Sequence, residues 1–186
     1  YGETIKQEIL EPYRSAGYTG MLINVHETST GVYHDMRIVG DFCRQEGLVL
    51  VVDAISSFLA DPYYMDDWNI NLTIISSQKG LALPPGISML IMNPETVERI
   101  RLNHVQSLYF DLKDYLKDIR RGQTPYTPAV GILLQMVQAL KVIEDKGIDT
   151  IISETEQLAL YFRRSIADLP FTIPSERLSN TLTPLR

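Results

Sequence analysis

The chain has 186 residues, of which 45% are hydrophobic and 22% charged, the balance of a globular domain. A formal net charge of −6 and a pI near 5.1 argue against a surface built for nucleic acid or anionic membrane. No apolar run is long enough to span a bilayer and no signal-peptide pattern opens the chain. The lone Cys43 leaves no disulfide framework and no thiolate metal site, and these features fit a reducing cytoplasm.

In chain order, residues 3–15 show helical spacing, with Ile5, Ile9 and Leu10 on one side. Residues 20–25 read as a strand, and a polar loop, His26 to Gly31, follows it. Gly31 suits a positive φ or a close backbone approach, and His26 is a weighed general base. Residues 35–46 form a helix with Met36, Val39, Phe42 and Cys43 inward, stopped by Gly47; Cys43 reads as a small core residue. The run Leu48-Val49-Leu50-Val51-Val52-Asp53 is a central parallel strand buried on both faces. It ends in a carboxylate that, taken singly, is either a helix N-cap or a site residue.

Residues 58–71 are irregular. Asp61, Asp66 and Asp67 read as solvated acids around a turn rather than metal ligands, and Trp68 as packing. The β-branched run Leu72-Thr73-Ile74-Ile75 is a buried strand, followed by Ser76-Ser77-Gln78-Lys79-Gly80 and the turn Pro84-Pro85-Gly86, then a strand over 87–92. Ligands collect beyond the carboxyl ends of such strands. A lysine desolvated there loses pKa and becomes nucleophilic. Asn93-Pro94-Glu95 starts a helix reaching 103, and His104 defaults to a surface or capping role. Residues 108–121 read as a loop plus an amphipathic helix. The stretch 122–128 is a proline-bounded entry to a helix over 129–146, ended by Gly147, and a second long helix covers 149–168.

Three motifs occur in order: His26-Glu27-Thr28-Ser29-Thr30-Gly31, Val52-Asp53-Ala54-Ile55-Ser56-Ser57, and Ser77-Gln78-Lys79 with Pro84-Pro85-Gly86. Thr28 and Asp53 lie 25 residues apart, Asp53 and Lys79 26. From about residue 18 onward this pattern resembles the class V aminotransferases, pyridoxal-phosphate (PLP) enzymes of fold type I. It is most similar to their alanine–glyoxylate, serine–pyruvate and 2-aminoethylphosphonate–pyruvate branch. The resemblance implies an α/β large domain of three layers, α/β/α, with a mostly parallel sheet, and an antiparallel strand over 87–92. It divides the chain into part of a large cofactor-binding domain (1–147), a linking helix (148–170) and the start of a small C-terminal domain (171–186). It also implies that the chain is a central fragment. The phosphate loop and a ring-stacking aromatic are expected upstream, and the arginine for the substrate carboxylate downstream.

By the same resemblance Lys79 is the Schiff-base lysine and proton carrier, and Asp53 is the carboxylate that keeps the pyridine nitrogen protonated. Thr28 lies near ring and substrate, and Gln78 and Ser57 lie near the cofactor phosphate. Thr127 reaches across a homodimer interface to the phosphate of the other subunit. An aromatic residue commonly assists three places before it, where this chain has Thr124; Tyr126 is the nearby alternative. The implied reaction moves an amino group from a small donor (alanine, serine or 2-aminoethylphosphonate) to a 2-oxo acid (pyruvate or glyoxylate). The Val52–Phe58 run leans to the aminoethylphosphonate branch and the Ser77–Gly86 run to alanine–glyoxylate. A non-catalytic PLP sensor or dimerisation module is the alternative. Cysteine desulfurases share the fold but place a histidine before the lysine and a glutamine soon after the aspartate. A nucleotide-binding Rossmann domain would show G-x-G-x-x-G, which the sequence lacks.

Overall fold

A computed structural model describes residues 2–186. The sheet grows from three apolar runs whose β-branched side chains suit a pleated, covered surface. Strands β1 (Gly20–Asn24), β4 (Val49–Asp53), β5 (Leu72–Ser76) and β6 (Ser88–Met92) lie in the order β1-β4-β5-β6. The first two pairs are parallel and β5–β6 is antiparallel, as the resemblance implied. The register sets Asn24 beside Asp53 and Asp53 beside Ile74, so the carboxyl ends of three strands share one edge.

Helix α2 (Met36–Glu46) covers one face of this sheet. Its first turn is held by Asp35, which accepts from the Arg37 N–H at 3.0 Å, and Gly47 ends it in the left-handed region at φ 68°. Met36, Val39, Phe42 and Cys43 pack with Leu50, Val52, Ile75 and Trp68 in the main core. Gly40 allows α2 this closeness: a Cβ there would lie 1.8 Å from the Trp68 carbonyl oxygen. Trp68 is buried, with Tyr63 and Tyr64 each edge-on to it at 5.5 Å, which is the packing role its sequence suggested. On the opposite face of β1, Leu22 is 80% exposed.

Two expectations of local structure are corrected. Residues 3–15 form only α1 (Gln7–Leu10) and a 3-10 turn, Glu11–Tyr13. Pro12 lacks the N–H that a continuing helix needs. The preceding backbone bonds elsewhere: the Ile5 N–H to His34 Nδ1 at 3.2 Å, and the Gly2 carbonyl to the Glu176 N–H at 3.1 Å. Leu10 is buried, but Ile9 is 46% exposed. The 26–31 loop is the arm of a hairpin, in which β2 (His26–Glu27) pairs antiparallel with β3 (Val32–Tyr33). Gly31 turns it at φ 73°, where a Cβ would meet the Pro184 ring at 2.7 Å.

Helix α3 (Pro94–Leu102) is capped by Asn93, and α4 (Leu112–Ile119) by Asp111. Helices α5 (Val130–Lys146) and α6 (Ile148–Ser165) join through Gly147 and pack against each other. Met136, Ile143 and Ile151 close a second, smaller core over Leu59 and Leu81, at the base of the lysine loop. The C-terminal segment turns back onto the hairpin. The Tyr33 N–H donates to the Arg177 carbonyl at 2.9 Å, and the Ser179 N–H to that of Gly31 at 3.0 Å.

Candidate active site

The site is assembled at the shared strand edge. Asp53 ends β4 exposed, and its Oδ1 accepts the Ile55 N–H at 2.8 Å, fixing the turn that leaves the strand. Past β5, the fully buried Ser77 braces the lysine loop, donating its hydroxyl to the Pro84 carbonyl at 2.7 Å while its own carbonyl accepts from the Leu83 N–H. The Ser76 hydroxyl holds Gln78 Oε1 at 2.8 Å. Lys79 stands at the turn, where its carbonyl accepts from the Ala82 N–H at 2.8 Å. Gly80 is pressed against the preceding wall: a Cβ there would lie 2.1 Å from the Phe58 carbonyl oxygen.

Lys79 opens into a cleft of about 390 Å³ whose polar wall is His26, Thr28, Ser56, Thr155 and Thr181, with Phe58 and Ile151 among its apolar groups. The volume is within the range of small-ligand sites. A larger, adjoining cleft of about 700 Å³ shares Thr28 and Leu182 but lacks the lysine. Of the residues singled out in the sequence, Lys79 and Thr28 therefore share a wall. Asp53 lies at the same edge but outside that wall, and Gln78 is exposed beside Lys79. Ser57 is buried, its hydroxyl on the Ala54 carbonyl at 3.3 Å. Thr127 is exposed ahead of α5 and does not line the cleft. Tyr126 is committed elsewhere: its ring stacks on Tyr109 at 4.9 Å and its hydroxyl donates to the Leu108 carbonyl at 2.8 Å. Lys79 is itself exposed, so the desolvation expected of it is not supplied by the described residues.

Sequence reasoning missed the group behind the cleft. Asp61, expected to be solvated, is 3% exposed. Its two oxygens accept from the Ser179 hydroxyl and, at 2.8 Å, from the Asn180 N–H. Burial pushes its pKa up, and these two donors oppose the shift. Ser179 continues to the Thr181 hydroxyl at 2.8 Å, and Thr181 to His26 Nδ1 at 3.1 Å. His26 is 4% exposed and its Nε2 has no hydrogen-bond partner. Desolvation pushes its pKa down; the charges of Asp61 and Glu27 and the nearby Ser56 backbone oppose this, and Lys79 adds to it. Arg163 on α6 clamps the same segment, donating Nε–H to Thr183 Oγ1 at 3.0 Å and Nη2–H to the Ser179 and Leu182 carbonyls. The Ser179-Asn180-Thr181 run was the available signal: three side chains able to bond backbone or carboxylate in succession.

The donor set suits an aldehyde-bearing, cationic aromatic cofactor such as PLP. Among the described residues it offers an amine that makes no hydrogen bond or ion pair, a carboxylate on the neighbouring strand, and an orphaned buried imidazole nitrogen in the cleft. Comparison with known proteins identifies the family. The family model for class-V aminotransferases matches residues 3–182. The chain is similar to the serine–glyoxylate aminotransferase of Arabidopsis thaliana, 32% identical over 165 residues, which are 85% of this chain and 41% of that protein. It is 28% identical to the L-aspartate–glyoxylate aminotransferase of Paracoccus denitrificans over 86% of this chain and 41% of the relative. Among solved structures, the alanine–glyoxylate aminotransferase of a Nostoc species superposes with a TM-score of 0.86 at 25% identity, over 100% of this chain and 51% of that one. The chain thus spans about two fifths of the length of these curated relatives.

Proposed function

The chain belongs to the class-V aminotransferase family, and from that premise we propose that it serves PLP-dependent transfer of an amino group from a small donor to a 2-oxo acid. The observation that carries the reading is Lys79 on the wall of a small-ligand cleft, with Asp53 closing the adjacent strand at the same sheet edge. Lys79 and Asp53 would hold the cofactor, which when bound supplies an electron sink for charge developing at the substrate α-carbon. The Asp53 carboxylate favours a positive charge beside it. The Lys79 amine, freed by substrate, takes and returns the α-proton. Thr28 contributes a hydroxyl to the same wall. Gln78 and Ser57 serve the phosphate side, and Thr127 serves a second subunit in a homodimer with a shared site. Serine, alanine and aspartate stand in the names of the relatives and glyoxylate in all three; a small amino acid and a two- or three-carbon 2-oxo acid fit that range. The proposed division is a cofactor-binding part over 1–147, a linking helix over 148–170 and the opening of a smaller domain over 171–186, in a cytoplasmic protein.

The test is covalent capture. The protein is incubated with PLP, reduced with borohydride, digested and mapped by mass spectrometry. Label is expected on Lys79 and lost, together with turnover, in Lys79→Ala. Asp53→Ala is expected to keep the label but slow turnover by about tenfold to a hundredfold, the worth of one hydrogen bond to a charged group. Label spread evenly over the lysines, or full turnover by Lys79→Ala, would overturn the assignment.

A further inference from the structure

The chain of hydroxyls behind the cleft has a direction. Both Asp61 oxygens accept, one from the Asn180 N–H and one from the Ser179 hydroxyl. Ser179 has then given away its only hydrogen, so its oxygen receives those of Thr181, the N–H at 3.2 Å and the hydroxyl at 2.8 Å. Thr181 has in turn spent its hydrogen, and its oxygen can only accept from His26 Nδ1 at 3.1 Å. The imidazole is thereby fixed with hydrogen on Nδ1 and a bare lone pair on Nε2. That nitrogen is buried, belongs to a side chain on the wall of the Lys79 cleft, and makes no hydrogen bond among the described residues; the Ser56 backbone near the ring offers an acceptor, not the donor that a lone pair needs. A buried acceptor without a partner is destabilising, because it has given up its hydrogen bond to water. Such an atom calls for a donor that the described residues do not supply.

We infer that His26 is a ligand-binding residue: held by Thr181, Ser179 and Asp61 as the Nδ1–H tautomer, it accepts through Nε2 a hydrogen bond from an N–H or O–H of the molecule bound in the Lys79 cleft. The identity of that molecule rests on the amino-transfer reading; the tautomer does not. His26 is a hydrogen-bond acceptor here, a different task from the base role weighed for it in the sequence. The Asp61–Ser179–Thr181 relay is a positioning device that brings a C-terminal segment to bear on a site otherwise built from β-strand ends.

The experiment uses the whole protein labelled with ¹⁵N-histidine, with the His26 signals assigned by their disappearance in His26→Gln. In wild type, Nε2 is expected at the far-downfield position of an unprotonated imidazole nitrogen. It should move toward the protonated side on addition of PLP followed by L-serine. Thr181→Val removes the acceptor for Nδ1–H, so Nε2 should become the protonated nitrogen, and affinity for PLP and L-serine together should fall roughly three- to tenfold. Thr181→Ser should restore both. A protonated Nε2 in the free wild-type protein overturns the inference. So does a bare Nε2 that stays still while borohydride capture shows PLP on Lys79, or a Thr181→Val protein with unchanged tautomer. Absence of capture at Lys79 with the bare Nε2 in place would instead overturn the amino-transfer reading and leave the tautomer assignment standing.

Discussion

Gly80→Ala tests whether the lysine is placed by a rigid wall. A Cβ at residue 80 would lie 2.1 Å from the Phe58 carbonyl oxygen, 3.1 Å from its carbonyl carbon and 3.3 Å from Leu59 Cβ. Ordinary contact begins at 3.4 Å, so loop and wall must separate by about 1.3 Å, the shortfall at the oxygen. The wall yields poorly, because the atom met is backbone and the next residue, Leu59, is buried and already in the left-handed region at φ 65°. Overpacking of this kind costs about 1–3 kcal/mol, a Tm lower by roughly 3–9 °C for a chain of this size. A displacement of about 1 Å at a reacting group costs on the order of a hundredfold in rate. Gly80→Ala is therefore expected to remain folded, with a modestly lower Tm, and to capture PLP at Lys79 about a hundredfold more slowly. Gly131→Ala is the control: beyond its chain neighbours and its own turn of helix, no atom lies within 4 Å of a Cβ there. As a glycine in α5 it should gain about 0.5–1 kcal/mol on substitution, with capture unchanged. Wild-type capture and Tm in Gly80→Ala would refute the claim that the Phe58–Leu59 turn positions the lysine.

His26 and His34 both have pKa values lowered by burial. The unfolded chain then binds more protons than the folded one below about pH 6.5, so their contribution to stability falls as the solution is acidified below that value. The raised pKa of Asp61 acts oppositely, in the window just above the ordinary aspartate value. A Tm profile between pH 7 and about pH 5.5 should slope downward on acidification and flatten in His26→Gln; an identical slope would remove His26 from the account. Burial raises the Cys43 thiol to about 11, so an aromatic disulfide reagent should react with it only at the rate of unfolding. Rapid labelling of the native protein would show that α2 does not cover it.

The sheet was legible because its strands are continuous apolar runs. A parallel strand covered on its faces has nothing polar to carry until it ends, so Asp53 and the Lys79 loop announced the carboxyl edge. The antiparallel turn of β6 came from family resemblance; periodicity does not encode direction. The N-terminal helix was overread because spacing alone ignores where backbone groups bond: Pro12 removes a donor, and the Ile5 N–H is taken by His34, 29 residues away in sequence. The β2–β3 hairpin escaped because two-residue strands are shorter than any alternation that a sequence can display.

The lysine was legible and its cleft was not, for the same physical reason. Lys79 follows a strand whose local sequence fixes where it ends, whereas the wall facing it combines His26, Thr28 and Ser56 with Phe58, Ile151, Thr155 and Thr181 from distant parts of the chain. Asp61 looked like a surface acid because its partners, Ser179 and Asn180, lie 118 and 119 residues away. Burying a carboxylate is costly unless donors meet it, so Asp61 is tolerable only when the C-terminal segment is in place. Arg163 fastens that segment from a third element, α6, through three separate acceptors. The sheet edge thus sets the position of the Lys79 amine. The Asp61–Arg163 clamp sets the protonation pattern of the imidazole beside it. A change that loosens the clamp should alter how the cleft binds its ligand while leaving Lys79 where β5 puts it.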